Sequence, residues 1–245
     1  SDLSKDDIVY QFWANRDSHE VYYFDPKTDY APTTAISSIS WDDPNFPNIE
    51  GFGVWAAKCN FTMGPDGKMY SRMLGGNLVR IDVENARGEN LTNGDLVGTK
   101  DGSAYGLVFD PQDENVFYFS NNDKHCIYKY DLRTKECACW AGQEGKSGYL
   151  DGPIGQAMFN KPGQMCVDSE GNIILTDTEN HCIRKITMST GYVSTLAGKP
   201  QNSGYVNGSA EDAQFKKPLG ICIDNDDVMY IGDSENRAIR RLAVE

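Results

Sequence analysis

The amino-acid sequence predicts an all-β protein, a β-propeller of four-stranded antiparallel blades. Three observations support this prediction. Long stretches repeat at a constant offset of 56 residues, apolar side chains within a repeat alternate with a period near two, and glycine and tyrosine are frequent, at 24 and 13 of 245 residues. Alternation and abundant turn residues are typical of short strands. Repeated small sheets bury their faces by stacking on one another around an axis.

The repeat is clearest in the second half of the chain. Residues 148–187 align without a gap with residues 204–243. A third copy at 106–142 places a His-Cys-Ile triplet 56 residues before the same triplet in the next copy. A repeat of this length is typical of a stacked supersecondary unit.

One repeat unit contains four short strands. The segments GQMCVD, NIILTD, CIRKIT and YVSTLAG, between residues 163 and 198, are rich in Ile, Val, Thr or Tyr. The turn sequences SEGN, TENH and MSTG separate them. We therefore expect each unit to be one antiparallel sheet.

Two weaker copies lie upstream, at 9–37 and 59–84. We expect a single domain over 1–245. Five repeat units are visible in it, and the first and the last are incomplete. The units are predicted at 8–40, 55–98, 105–142, 160–198 and 216–245.

The run PGQMCVD, GNIILTDTENHCIRKI and VSTLAG within 162–198 resembles NHL repeats, and the resemblance is strong over 105–245. It implies a β-propeller, usually six-bladed, so we expect these units to be part of a six-bladed ring. The G-x-x-D-G and F-x-x-P elements before a blade also resemble bacterial cell-surface NHL proteins that carry an N-terminal TIG domain. That resemblance implies an exported protein, in the periplasm or at the cell surface.

The net charge of −13 argues against nucleic acid as a partner, because an acidic surface repels phosphates. The basic clusters at Lys216-Lys217 and 237–241 are interpreted as solvated strand faces. No run of 18 apolar residues occurs, so we expect no membrane insertion, and we expect a monomer. The chain starts at Ser1 without a signal peptide, as a processed or truncated product would.

Seven cysteines leave at least one thiol unpaired. Cys126, Cys182, Cys166 and Cys222 recur at the repeat spacing, which favours small core side chains. We expect reduced, buried thiols, which either argues weakly against an oxidising compartment or indicates only that the fold needs no disulfides.

A cluster of Asp177, Glu179, His181 and Cys182 within six residues raises the question of a metal or catalytic site. Its Asp and Asn positions recur in other units. Such residues at a tight turn accept hydrogen bonds from backbone amides two residues on. We therefore favour a turn-holding role.

All three histidines, His19, His125 and His181, fall on one repeat position, which could suggest a ring of metal ligands. Equivalent turns of neighbouring sheets are on the order of 10 Å apart, whereas zinc ligands lie at about 2 Å. Arg237 occupies the same position in the last unit. Turn formation or packing between blades is therefore favoured.

The loops that precede the blades carry aromatic residues beside Asp and Asn, which suits sugars and peptides. We expect these loops and the turns at the same end to surround the channel mouth and to bind a ligand. For Tyr149 and Tyr205, packing between blades is the alternative. The predicted binding residues are Tyr149, Asp151, Tyr205, Asn207, Asp177, Asp233, Asn121 and Trp41.

No G-x-S-x-G, Walker or H-E-x-x-H motif occurs. We expect a non-catalytic scaffold that binds a protein or glycan through one end of the ring, with no cofactor. The alternative is a propeller lyase or hydrolase. Propeller enzymes resembling this family place metal ligands at the channel mouth, and here an oxygen-only calcium site of Asp and Asn would have to serve.

Overall fold

A computed structural model of the chain describes residues 9–15, 18–24, 32–36, 40–41, 61–72, 77–92 and 105–243. Up to residue 41 this description covers the strands alone. The chain divides into two compact units, Ser1–Lys100 and Asp101–Glu245.

The described residues of the first unit form two sheets. One is antiparallel and consists of β1 (Val9–Asn15), β2 (Ser18–Phe24) and β3 (Pro32–Ile36). The other consists of β4 (Ser40–Trp41), β5 (Phe61–Met63), β6 (Met69–Arg72), β7 (Leu78–Asp82) and β8 (Arg87–Asn90). Its order is β4-β8-β7-β6-β5, and β4 runs parallel to β8.

Over residues 105–243 the second unit forms three antiparallel sheets. The first consists of β9 (Leu107–Phe109), β10 (Val116–Asn121), β11 (Cys126–Asp131) and β12 (Cys137–Gly142). The second consists of β13 (Gly152–Pro153), β14 (Pro162–Val167), β15 (Ile173–Asp177), β16 (Cys182–Thr187) and β17 (Tyr192–Ala197). The third consists of β18 (Pro218–Ile223), β19 (Met229–Asp233) and β20 (Ala238–Leu242).

The predicted fold class is confirmed: the chain is an all-β propeller of antiparallel blades. The four strands read from residues 163–198 coincide with β14 to β17. One difference is the two-residue strand β13, which pairs with β17 and makes that sheet five-stranded. It arises because the loop before the blade runs back along the outer strand of the same blade.

The sheets of the second unit stack face to face through β9, β14 and β18. Successive residues of β15 point to opposite faces, so Ile173 packs into one apolar cluster and Ile174 into the other. Phe159 fills the first cluster and Phe215 the second, so both side chains pack between neighbouring blades. Both faces of this sheet are buried, which explains its nearly continuous apolar strands.

The last sheet of this stack is more open. Ile183 on β16 is 0% exposed, whereas its repeat equivalent on β20, Ile239, is 79% exposed. Ile183 packs into the apolar cluster shared with the β18–β20 sheet. Among the described residues of the second unit, no further sheet covers the corresponding face of β20.

The cysteine prediction is correct in part. Cys126 and Cys182 are buried at the starts of β11 and β16, but Cys166 is half-buried and Cys222 is exposed. Cys166 packs against the apolar cluster shared with the β18–β20 sheet, whereas Cys222, its repeat equivalent, lies opposite the exposed Tyr230 in the more open last sheet. All six described cysteines are free thiols.

Within the part of the chain that the structure describes, no helix has the length and apolar character needed to cross a bilayer.

Candidate functional site

A buried network joins Asp177 to the turn and strand that follow it. Its carboxylate accepts hydrogen bonds from the Asn160 backbone amide at 2.8 Å, the Asn180 side-chain amide at 2.8 Å and Arg184 Nη1 at 2.7 Å. Asp177, Asn180 and Arg184 are all fully buried. The backbone donor lies in the segment before β14. The predicted donor, a backbone amide two residues after Asp177, is therefore wrong. Asp177 therefore fastens the β15–β16 turn to the preceding loop.

Burial raises the pKa of Asp177 to about 6, although Arg184 and the amide donors pull it down. Burial by itself lowers the pKa of Arg184, but Asp177 and the other nearby acidic groups outweigh it and the net direction is upward. The two side chains therefore form an ion pair at neutral pH. A buried pair of this kind depends on both partners, because either charge alone would be left uncompensated.

The next sheet repeats the network. Asp233 ends β19 and accepts hydrogen bonds from the Lys216 backbone amide at 2.7 Å, the Asn236 side chain at 2.8 Å and Arg240 Nη1 at 2.9 Å. The Asp, Asn and Arg positions that recur in the sequence thus form the same structural hydrogen-bond network in both sheets.

Arg184 also clamps the loop before its blade. Nη1 donates to the Met158 carbonyl at 3.1 Å, and Nη2 donates to the Leu150 carbonyl at 2.9 Å and to Asp151 Oδ1 at 2.6 Å. The guanidinium carbon lies 4.9 Å from the centre of the Tyr149 ring. The guanidinium fixes both the loop backbone and the tyrosine.

Arg240 clamps the following loop in the same way. It donates to the Gln214 carbonyl at 3.0 Å and to the Val206 carbonyl at 2.7 Å, and it lies 5.0 Å from the centre of the Tyr205 ring. We call the two segments, 148–159 and 204–215, the Arg-clamped loops.

The two tyrosines of these loops differ in exposure. The Tyr149 hydroxyl lies 2.7 Å from Thr195 Oγ1, and the Thr195 amide donates to Asp151 Oδ2 at 3.1 Å. Tyr149 is half-buried, with burial as the main cause of a raised pKa. Tyr205 is 61% exposed, and Asn207 beside it is also exposed. The second loop therefore offers the more open aromatic surface.

The remaining predicted site residues lie elsewhere. Asn121 is buried at the end of β10 and accepts a hydrogen bond from the Lys124 amide at 3.1 Å. Trp41 belongs to β4, where its backbone is paired with Gly88, and its side chain lies outside the described residues. The structure thus groups Tyr149 and Asp151 with Asp177, and Tyr205 with Asp233.

The histidines connect neighbouring sheets. His125 Nδ1 accepts a hydrogen bond from the Lys161 amide at 3.1 Å, and His181 Nδ1 accepts one from the Lys217 amide at 3.2 Å. His125 and His181 adopt left-handed backbone conformations, with φ of 56° and 59°. This geometry agrees with the favoured interpretation, a turn residue that also contacts the next blade. We call these two contacts the histidine staples.

The same networks bear on a calcium site. The Asp177 and Asp233 carboxylates each bind an arginine guanidinium, which occupies the position that a cation would need. These residues therefore do not fit calcium. Among the described residues, no group of three or more His, Cys, Asp or Glu side chains is placed to hold a metal ion.

A cleft of about 370 Å³ lies beside Tyr149, between the end of β17 and the segment that follows it. Lys199, Pro200, Asn202 and Glu211 line it, and the sequence analysis did not select them. The long loop that contains these residues could be recognised in the sequence. Nothing in it indicated that Tyr149, far away along the chain, would share their cleft.

Two other cavities are dominated by paired charges. One of about 580 Å³ in the first unit contains Lys68 and Arg80, which pair with Asp82 and Glu89. The other, of about 240 Å³, lies between turns of the second unit, where Lys185 pairs with an acidic neighbour. Because these charges are satisfied internally, neither cavity shows an uncompensated binding group.

Comparison with known proteins identifies the repeat. A family model of the NHL repeat matches residues 159–186, from Phe159 to Ile186 on β16. The chain is 30% identical over 152 residues to NHL repeat-containing protein 2 of Gallus gallus. The aligned region covers 61% of this chain and 19% of that protein.

Solved structures show the same fold. A protein of unknown function from Bacteroides thetaiotaomicron superposes with a TM-score of 0.80 and 25% identity, over 97% of this chain and 56% of that one. An auxiliary nutrient binding protein from the same organism superposes with a TM-score of 0.71 and 25% identity, over 96% and 56%. The chain spans less than a fifth of the curated relatives that it matches, and just over half of these solved structures.

The TIG-domain resemblance stays a prediction, since these findings do not test it. The repeat match, the relatives and the superpositions agree with the repeat read from the sequence. The chain therefore carries an NHL repeat and has the fold of an NHL-type β-propeller.

Proposed function

We propose that this chain is a non-catalytic binding module that holds a glycan or protein ligand against its Arg-clamped loops. The observation that supports this most is the rigid display of exposed aromatic and aliphatic side chains. Tyr205, Val206 and Leu150 are exposed on loops whose backbone carbonyls are held by Arg240 or Arg184. Because the loops are already ordered, binding costs little conformational entropy.

The geometry gives less support to an enzyme. The carboxylates best placed by sequence for acid–base or metal chemistry, Asp177 and Asp233, are buried and paired with arginines. A general acid or base must reach the proton that it transfers. These side chains instead hold the loops that the ligand would contact.

The comparisons support binding in general. One solved structure with 25% identity is described as an auxiliary nutrient binding protein. We extend this role to the present chain and place it outside the cytoplasm, in the periplasm or at the cell surface. The aromatic residues of the loops, with polar groups beside them, suit the C–H faces and hydroxyls of a sugar.

Arrays of glycans and of peptides, probed with the 245-residue chain, test the proposal. The double variant Tyr149→Ala, Tyr205→Ala should weaken the affinity for any ligand found by about tenfold or more, because exposed aromatic residues dominate such surfaces. Tyr192→Ala, which removes an exposed tyrosine from β17, should leave binding unchanged. Equal binding by the double variant would contradict the proposal, and so would chemical conversion of the ligand.

A further inference from the structure

We infer that the cleft beside Tyr149 is a binding site for a short, neutral saccharide, an inference that rests on the proposed function and names its site and ligand class. The cleft has a volume of about 370 Å³. Small-ligand pockets measure roughly 300–1,000 Å³, so this volume has room for one or two sugar rings. The side chains that carry the argument are Tyr149, Thr195, Lys199, Pro200, Asn202 and Glu211.

The walls of the cleft are fixed by backbone hydrogen bonds. The Gly198 amide donates to the Ala210 carbonyl at 2.8 Å, and the Gln201 amide donates to the Asn180 carbonyl at 2.8 Å. Gly198 has a φ of +98°, and a Cβ there would lie 3.0 Å from the His181 carbonyl oxygen. The segment after β17 therefore turns sharply and is tied to the buried turn that also holds Asp177.

The aromatic wall is preorganised. Arg184 lies 4.9 Å from the centre of the Tyr149 ring, and Thr195 Oγ1 lies 2.7 Å from its hydroxyl. With one contact on the ring and another on the hydroxyl, the orientation of Tyr149 is set before a ligand arrives. A fixed aromatic ring can receive the C–H face of a sugar without a further loss of side-chain entropy.

The charges favour a neutral ligand. The lining contains one cation, Lys199, and one anion, Glu211. The Lys199 ammonium pairs with Asp212 at 3.3 Å, so its charge is balanced and the cleft offers an anion no uncompensated cation, although the ammonium keeps further N–H donors. The whole chain carries a net charge of −13, which further disfavours phosphates and acidic polymers.

The polar and apolar atoms of the cleft match a polyhydroxylated ring. The Glu211 carboxylate accepts hydrogen bonds, the Lys199 ammonium donates them and the Asn202 amide does both. Leu196, Pro200 and Ala210 add apolar surface between these polar groups. Hydroxyls alternating with C–H groups are the chemistry that such a wall complements.

A glycan array of neutral and sialylated saccharides, with a peptide array in parallel, identifies the ligand class. Titration calorimetry with a neutral saccharide from the array then measures the variants. Glu211→Gln should raise the dissociation constant about tenfold, because a hydrogen bond to a charged carboxylate is replaced by a weaker one to a neutral amide oxygen. Tyr149→Ala should raise it at least as much, while Tyr149→Phe, which keeps the ring, should bind within about threefold of the unchanged chain.

Two controls separate binding from folding. Glu170→Gln removes another exposed carboxylate, on a turn that does not line the cleft, and it should not alter binding. Thermal unfolding of every variant shows whether Tyr149→Ala remains folded. If it does not, Glu211→Gln, at an exposed position, carries the test.

The outcomes distinguish the inference from the function beneath it. Neutral saccharide binding that Glu211→Gln and Tyr149→Ala weaken would support both. Saccharide binding that neither variant alters, or retention of peptides or sialylated glycans alone, would overturn the cleft assignment and leave the binding module standing. Retention of no ligand on either array would overturn both.

Discussion

At the scale of single residues, the arrangement around Asp177 and Arg184 explains why a charged pair can lie at the centre of a sheet stack. Moving two charges out of water costs several kcal/mol per ion unless further hydrogen bonds compensate. Asp177 gains three donors, and Arg184 gains two carbonyls and Asp151 as well. The pair therefore orders the loop through bonds that a pair of apolar side chains could not make.

The two carboxylates that contact Arg184 should differ sharply in their contribution to stability. Asp177→Ala should lower the free energy of unfolding by about 3–5 kcal/mol, because it leaves a buried guanidinium without its main partner. Asp151→Ala should cost about 1 kcal/mol, since Asp151 is partly exposed and water can replace it. Urea unfolding followed by tryptophan fluorescence measures both, and equal losses would contradict this account of the network.

The residue-scale predictions succeeded where a position recurs. Recurrence indicated a structural role for Asp177 and for the His181 position, and the hydrogen bonds agree. The partner of Asp177 could not be read from the sequence, because Asn160 lies 17 residues earlier, before β14. The usual hydrogen bonding of turns predicted a donor two residues after Asp177. The backbone amide of Asn160, which is distant in sequence, donates instead.

At the scale of elements, strand boundaries followed from side-chain alternation and turn residues, but sheet edges did not. In the register of β15 against β16, Leu175 lies opposite Arg184. The Arg184 side chain extends from this regular pairing to Asp177 at the end of β15. The extra strand β13 was not predicted, because a two-residue pairing depends on where the loop runs and not on its own pattern.

The histidine staple at His125 makes the contact between its sheet and the next depend on pH. Burial, the larger cause, and nearby Lys161 lower the pKa of His125, while Asp123 acts in the opposite direction. In the unfolded chain the imidazole takes up a proton near pH 6.5, whereas in the folded chain it stays neutral to a lower pH. Its contribution to stability is therefore complete above about pH 6.5 and is lost as the pH falls.

Replacing this residue should flatten part of the pH dependence. His125→Asn retains a side chain that tolerates the left-handed conformation but does not titrate in this range. Between about pH 7 and pH 5, the unfolding temperature of the unchanged chain should fall more than that of the variant. Thermal melts in matched buffers test this. If the two pH profiles were parallel, protonation of His125 would not contribute to the pH dependence of stability.

At the scale of the whole molecule, the fold class was predictable because a repeat multiplies weak local signals. Five copies of an alternating pattern agree on a sheet, and a sheet with two apolar faces must be stacked. The cleft was not predictable, because its walls come from distant parts of the chain. Tyr149 reaches it from the loop before the blade, while Lys199 and Glu211 come after the last strand of that blade.

The overall charge separates the possible ligand classes through the dependence of binding on salt. An anionic polymer that bound despite the net charge of −13 would release counterions from local cationic contacts, and its affinity would fall steeply with salt. A neutral saccharide held by hydrogen bonds and an aromatic ring releases none. Its dissociation constant should therefore change by less than about twofold between roughly 0.05 and 0.5 M sodium chloride. Titration calorimetry across this range measures the slope, and a steep loss of affinity would point to a charged partner and against the saccharide.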